Sequence, residues 1–143
     1  MVTRASLSVD SLNDSLQDFG RSHPEIQALF VFGSVATGKP HPGSDVDVAV
    51  LVDPDRDSDK ALRLALQYSV ELEDRLQISV DVVILNSAAP MLRFQVISKG
   101  KMVYSTDPQR TRRFLGDALV EFYDEIVMIE KLQNRAIRRL IGR

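Results

Sequence analysis

The stretch Asp45-Val46-Asp47-Val48-Ala49-Val50 alternates carboxylates with apolar side chains before running into Leu51 and Val52. That alternation reads as a strand over residues 45–52, with Val46, Val48 and Val50 on one face. Asp45 and Asp47 share the other face, their Cα atoms roughly 7 Å apart. Two carboxylates so placed suit a pair of hard cations about 3.5–4 Å apart. Taken alone, Asp-x-Asp is as well explained by a loop end and a solvated side chain.

Asp81 adds a second constraint. It stands between Val80 and Val82 in an apolar run, residues 79–85, and an unpaired buried carboxylate there would cost several kcal/mol. Either this strand lies at a sheet edge with Asp81 facing water, or Asp81 sits beside Asp45 and Asp47. Three neighbouring carboxylates repel one another and call for a cation. Mg²⁺ bound with a nucleoside triphosphate is the natural occupant, because it prefers carboxylates, water and phosphate.

The rest of the pattern alternates helices and strands. Val9, Leu12, Leu16 and Phe19 give one helical face over residues 8–19, with Asp10 or Ser11 as the expected cap and Gly20 as the expected stop. Residues 28–32 read as a buried strand that Gly33 ends. Residues 33–44 contain Gly33, Gly38, Pro40, Pro42 and Gly43 and read as a loop, with room for one helical turn after Ser34. A helix is expected over 59–76, with Leu62, Leu66, Ser69, Leu72 and Leu76 near its buried stripe. A further helix over 88–98, a strand over 101–105 and a long helix over 107–143 complete the reading. This is an α/β (α+β) pattern around a small sheet, and residues 1–143 form a single domain.

Composition narrows the function. The 143 residues are 44% apolar and 27% charged, which suits one folded core. The 18 Lys and Arg nearly balance the 20 Asp and Glu, so direct nucleic-acid binding is not expected. There are no cysteines, which excludes disulfides, thiolate metal sites and a Cys nucleophile. Neither a membrane span nor a secretory leader is expected, and the anticipated location is the cytoplasm.

Gly33-Ser34 is a candidate phosphate contact, since a small residue lets a ligand approach the backbone and a helix start offers free N–H groups. Arg93 has the chemistry to reach a phosphate, although an Arg on a helix more often pairs with a surface acid. His23 and His41 lie in Pro-containing loops and read as surface residues. Ser44 precedes Asp45 and reads as shaping the turn.

Together, Phe32-Gly33-Ser34-Val35-Ala36-Thr37-Gly38, then Ser44-Asp45-Val46-Asp47-Val48-Ala49-Val50, and Asp81 on a later strand resemble the nucleotidyltransferase superfamily related to DNA polymerase β. More narrowly, they are similar to the minimal nucleotidyltransferases, antitoxins paired with HEPN-domain ribonuclease toxins. Residues 25–105 carry the resemblance, including Leu92-Arg93 and Gly100-Lys101-Met102-Val103-Tyr104. It implies a nucleotidyltransferase fold, a small mixed sheet flanked by helices. It also implies Mg²⁺, ATP as substrate, and transfer of AMP to a tyrosine hydroxyl of the toxin. Asp45, Asp47 and Asp81 would be the metal-binding and catalytic residues. Gly33, Ser34, Ser44 and Arg93 would contact the nucleotide. Thr37 stands where relatives often carry Arg.

The last helix, residues 107–143, carries a heptad seam of Leu115, Leu119, Phe122, Ile126, Ile129, Gln133, Ala136 and Leu140. A helix so long outruns a small domain, so part of the seam is expected to meet a partner, as a homodimer or with the toxin. Two other functions remain open at this point: an antitoxin acting by complex formation without catalysis, and a nucleotidyltransferase acting on a small molecule.

Overall fold

The computed structural model describes residues 7–39, 45–53 and 60–142. Helix α1 (Val9–Ser22) starts at Ser8, ahead of the expected caps. The Ser8 hydroxyl accepts from the Ser11 N–H at 3.1 Å, and the Ser11 hydroxyl accepts from the Ser8 N–H at 2.9 Å. This reciprocal pair satisfies two of the donors that a helix start leaves over. Leu12, Leu16 and Phe19 are buried as expected. Gly20 does not stop the helix. It lies inside it, packed so closely on the Tyr104 ring that a Cβ would overlap it.

Strands β1 (Ile26–Phe32), β2 (Val46–Val52), β3 (Val80–Ile84) and β4 (Lys101–Ser105) form one sheet in the order β3-β2-β1-β4. β1 runs antiparallel to β2 and β4, and β2 runs parallel to β3. The sheet is therefore mixed, with β3 at one edge. A helical turn, α2 (Gly33–Ala36), follows β1 directly. Alternation sends Leu29, Val31, Val46, Val48 and Val50 into a core under α1 and α3 (Ala61–Leu76). Ala28, Phe30, Ala49 and Leu51 fill a smaller core with Leu85 and Val96, beneath α4 (Pro90–Lys99) and α5 (Pro108–Leu140).

Helix α3 is rotated from the expected stripe. Ala65, Tyr68, Leu72 and Leu76 are buried, while Leu62 and Leu66 are 75% and 59% exposed. Tyr68 decides the rotation. Its ring meets Phe19 edge-on at 5.4 Å and His23 at 5.2 Å, and its hydroxyl donates to Glu25 at 2.8 Å. His23 is correspondingly no surface residue. It is mostly buried, with Nε2 2.8 Å from Glu71 and Nδ1 3.3 Å from Glu25. His41 lies outside the described residues.

Helix α5 has 33 residues, a length of about 50 Å at 1.5 Å per residue. Asp107 caps it by accepting from the Arg110 N–H at 3.2 Å. Thr111, Ala118 and Phe122 are buried against the domain, with Phe122 stacked on Phe94 at 4.2 Å. From Val127 onward every described residue of the helix is exposed. The heptad seam thus divides: its first half packs on the domain and its second half projects. Among the described residues, no helix is long and apolar enough to cross a membrane.

Candidate active site

The sheet brings one end of three strands together. β1 leaves the sheet at Phe32, where β2 and β3 enter it. Asp47 pairs across the antiparallel ladder with Phe32 and across the parallel ladder with Asp81. Neighbouring strands lie about 4.8 Å apart, so Asp47 and Asp81 stand side by side on one face. Asp45 immediately precedes β2, exposed, and points to that same face by alternation. Asp81 is exposed on the edge strand. Its sequence environment left two readings open, an edge position facing water or a place beside the other carboxylates. Both describe it.

Gly33 adjoins this cluster. Its φ of +73° lies in the left-handed region, and a Cβ there would overlap the Asp47 carboxylate. The backbone favours glycine there, and an added Cβ would push the Asp47 carboxylate aside. Ser34 follows in α2, half-buried. Thr37 ends this turn, its hydroxyl donating to the Ser34 carbonyl at 3.1 Å. Ser44 lies outside the described residues.

Asp47 is the electrostatic centre. Partial burial pushes its carboxyl pKa up first, and the charges of Asp81 and Asp45 push it further in the same direction. Among the described residues, no Lys, Arg or His forms an ion pair with any of the three. Among the described residues, no three His, Asp or Glu side chains group closely enough to hold one ion by themselves. The donor set is hard oxygen at the wall of an exposed site. Mg²⁺ fits it in the usual manner, through one or two carboxylates with the remaining positions left to phosphate and water.

Arg93 does not join this cluster. Its Nε donates to the Leu85 carbonyl at 3.0 Å, and its guanidinium also meets the Asn86 carbonyl and Glu121, the latter at 3.0 Å. Leu85 follows β3, so Arg93 sits at the far end of the strand, roughly four residues or 13 Å from Asp81 along it. It braces α4, the end of β3 and α5, and Glu121 is the surface acid with which a helical Arg more often pairs. Asn86 closes the same end, exchanging two 2.9 Å hydrogen bonds with the Val52 backbone. Sequence reading did not single out Phe32, whose register opposite Asp47 sets an aromatic beside the carboxylates. Its place as the last residue before Gly33 was the available signal.

The polymerase beta nucleotidyltransferase family model matches residues 14–109. Protein adenylyltransferase MntA of Shewanella oneidensis is 36% identical over 83 residues, covering 58% of this chain and 57% of that protein. The chain thus spans less than two thirds of that relative's length. A crystal structure of a mutant toxin–antitoxin MntA–HpeT has a TM-score of 0.70 at 25% identity, over 87% of this chain and 98% of that one. A crystal structure of a toxin–antitoxin with AMP-PNP has a TM-score of 0.63 at 25% identity, over 91% of this chain and 98% of that one. The chain belongs to the polymerase beta nucleotidyltransferase family.

Proposed function

We propose that this protein is an antitoxin that transfers AMP from ATP to a tyrosine hydroxyl of a HEPN ribonuclease toxin and so neutralises it. The observation that carries the reading is the register of Asp47 with Asp81, beside Asp45 and the glycine turn that opens α2. Similarity to an adenylyltransferase and to toxin–antitoxin structures, one with an ATP analogue, supports the choice of substrate and partner. A cytoplasmic location, where ATP is plentiful, belongs to the same proposal.

Asp45 and Asp47 are the residues that would hold Mg²⁺, with Asp81 completing the set. Bound there, the metal supplies Lewis-acid neutralisation of the triphosphate oxygens. The chain's own residues do the rest. The backbone N–H groups that open α2 and the Ser34 hydroxyl donate to phosphate oxygens and orient the α-phosphorus. Asp81 accepts the proton of the tyrosine hydroxyl. The tyrosine oxygen bonds to the α-phosphorus as the bond to the bridging oxygen breaks, and pyrophosphate leaves with that electron pair. The exposed position of Asp81 on the edge strand leaves it open to an incoming protein acceptor.

The test is the intact mass of the cognate toxin after incubation with ATP and Mg²⁺. Added AMP with the wild type and none with Asp47→Asn is the expected result. An unmodified toxin held tightly by both forms would replace catalysis with occlusion. Failure to bind any protein would favour a small-molecule acceptor.

A further inference from the structure

The outer half of α5 carries two charge blocks in sequence. Residues 117–130 hold Asp117, Glu121, Asp124, Glu125 and Glu130 with no Lys or Arg, and residues 131–143 hold Lys131, Arg135, Arg138, Arg139 and Arg143 with no acid. Between and among them Met128, Ile129, Leu132, Ile137 and Leu140 stand 46–86% exposed. An apolar groove of about 160 Å³ opens at the domain end of this stretch, lined by Met91, Phe122, Glu125, Ile126 and Ile129.

We infer that this half-helix pairs antiparallel with the same half-helix of a second copy of the chain. Charge complementarity selects that occupant. In a parallel pair each acidic block would face an acidic block, and like charges at close range repel. Antiparallel pairing about a two-fold axis near Leu132 sets each acidic block against the other copy's basic block. The heptad seam then brings Leu140 of one copy over Phe122 of the other, Ala136 over Ile126, and Gln133 over Ile129. Glu125 at the groove rim falls beside Arg139. The groove and the most exposed apolar side chain, Leu140 at 86%, thereby cover one another twice, once on each side of the axis. Such a contact is isologous, as a closed dimer requires.

Sedimentation velocity on the full chain, without any partner, tests this. The expected result is a monomer–dimer equilibrium that salt weakens. Reversing one block (Asp124→Lys with Glu125→Lys) or the other (Arg138→Glu with Arg139→Glu) should weaken the dimer about tenfold or more, and combining the two should restore it. All these positions are exposed, so the fold should survive. Because the chain has no cysteine, an engineered Leu132→Cys provides a lone thiol close to the axis and should crosslink copy to copy on oxidation. Leu140→Cys, far from the axis, should not. A monomer at every concentration would overturn the proposal, as would crosslinking of both variants or a monomer whose α5 is covered only when the toxin is added.

Discussion

Gly33 and Asp47 occupy the same small volume: the carboxylate of Asp47 fills the space where any side chain at position 33 would begin, and Gly33 holds a φ of +73°. The turn that leaves β1 and the acid that opens β2 are therefore built around each other. This contact links backbone conformation to the chemistry of the site.

Gly33→Ala is accordingly expected to cost about 1–3 kcal/mol from the left-handed backbone, and to displace Asp47 as well. Thermal unfolding should fall while AMP transfer is lost. A variant with wild-type stability and activity would show that the turn tolerates a Cβ, and that the glycine has no part in shaping the site.

Asp47 carries a stability cost at neutral pH. Its pKa is raised in the folded state above the ordinary 3.8, by burial and by two neighbouring acids. A carboxyl whose pKa rises on folding binds its proton more tightly when folded than when unfolded. The cost is absent below the ordinary carboxylate value, grows as pH climbs through the raised value, and is complete above it. Asp47→Asn should thus unfold at a higher temperature than the metal-free wild type at neutral pH, converge with it in acid, and transfer no AMP. Paired melting curves across that pH range check the sign.

Metal should relieve the same repulsion. Adding Mg²⁺ with a non-hydrolysable ATP analogue is expected to raise the wild-type melting temperature through binding to the native state. The rise should be much smaller in Asp45→Asn and Asp47→Asn. An equal rise in all three proteins would move the ion elsewhere.

Arg93→Ala separates bracing from nucleotide binding. It removes hydrogen bonds to two carbonyls and a contact with Glu121 from a side chain only 15% exposed. A loss of about 1–3 kcal/mol is expected from the carbonyls left unpaired, with KM for ATP nearly unchanged. Raised KM with unchanged stability would return Arg93 to the nucleotide site.

Tyr68→Phe tests what orients α3. Losing the hydroxyl that donates to Glu25 at 2.8 Å should cost about 1 kcal/mol, without altering AMP transfer, since this network lies on the opposite face of the sheet. Calorimetry on the variant measures it directly.

The strand character of residues 45–52 and the common face of Asp45 and Asp47 were legible in the residues alone, because side-chain alternation in a strand is a local property. The order of elements was legible for the same reason, and so was a terminal helix too long for its domain. Gly33 beside a carboxylate pair carried the family. The partnership of Asp47 with Asp81 was not local. It required β2 and β3 to lie parallel in one register, which only the packing of two cores against the sheet decides. The buried stripe of α3 and the carbonyl partners of Arg93 were hidden for a related reason. A helix periodicity marks an apolar stripe but does not say which of two neighbouring stripes a large aromatic such as Tyr68 will turn inward. Nor does it say which carbonyls a guanidinium will find at the end of a strand. Side-chain chemistry could be read from the chain, whereas long-range neighbours came from the fold, where burial and hydrogen bonding are satisfied together.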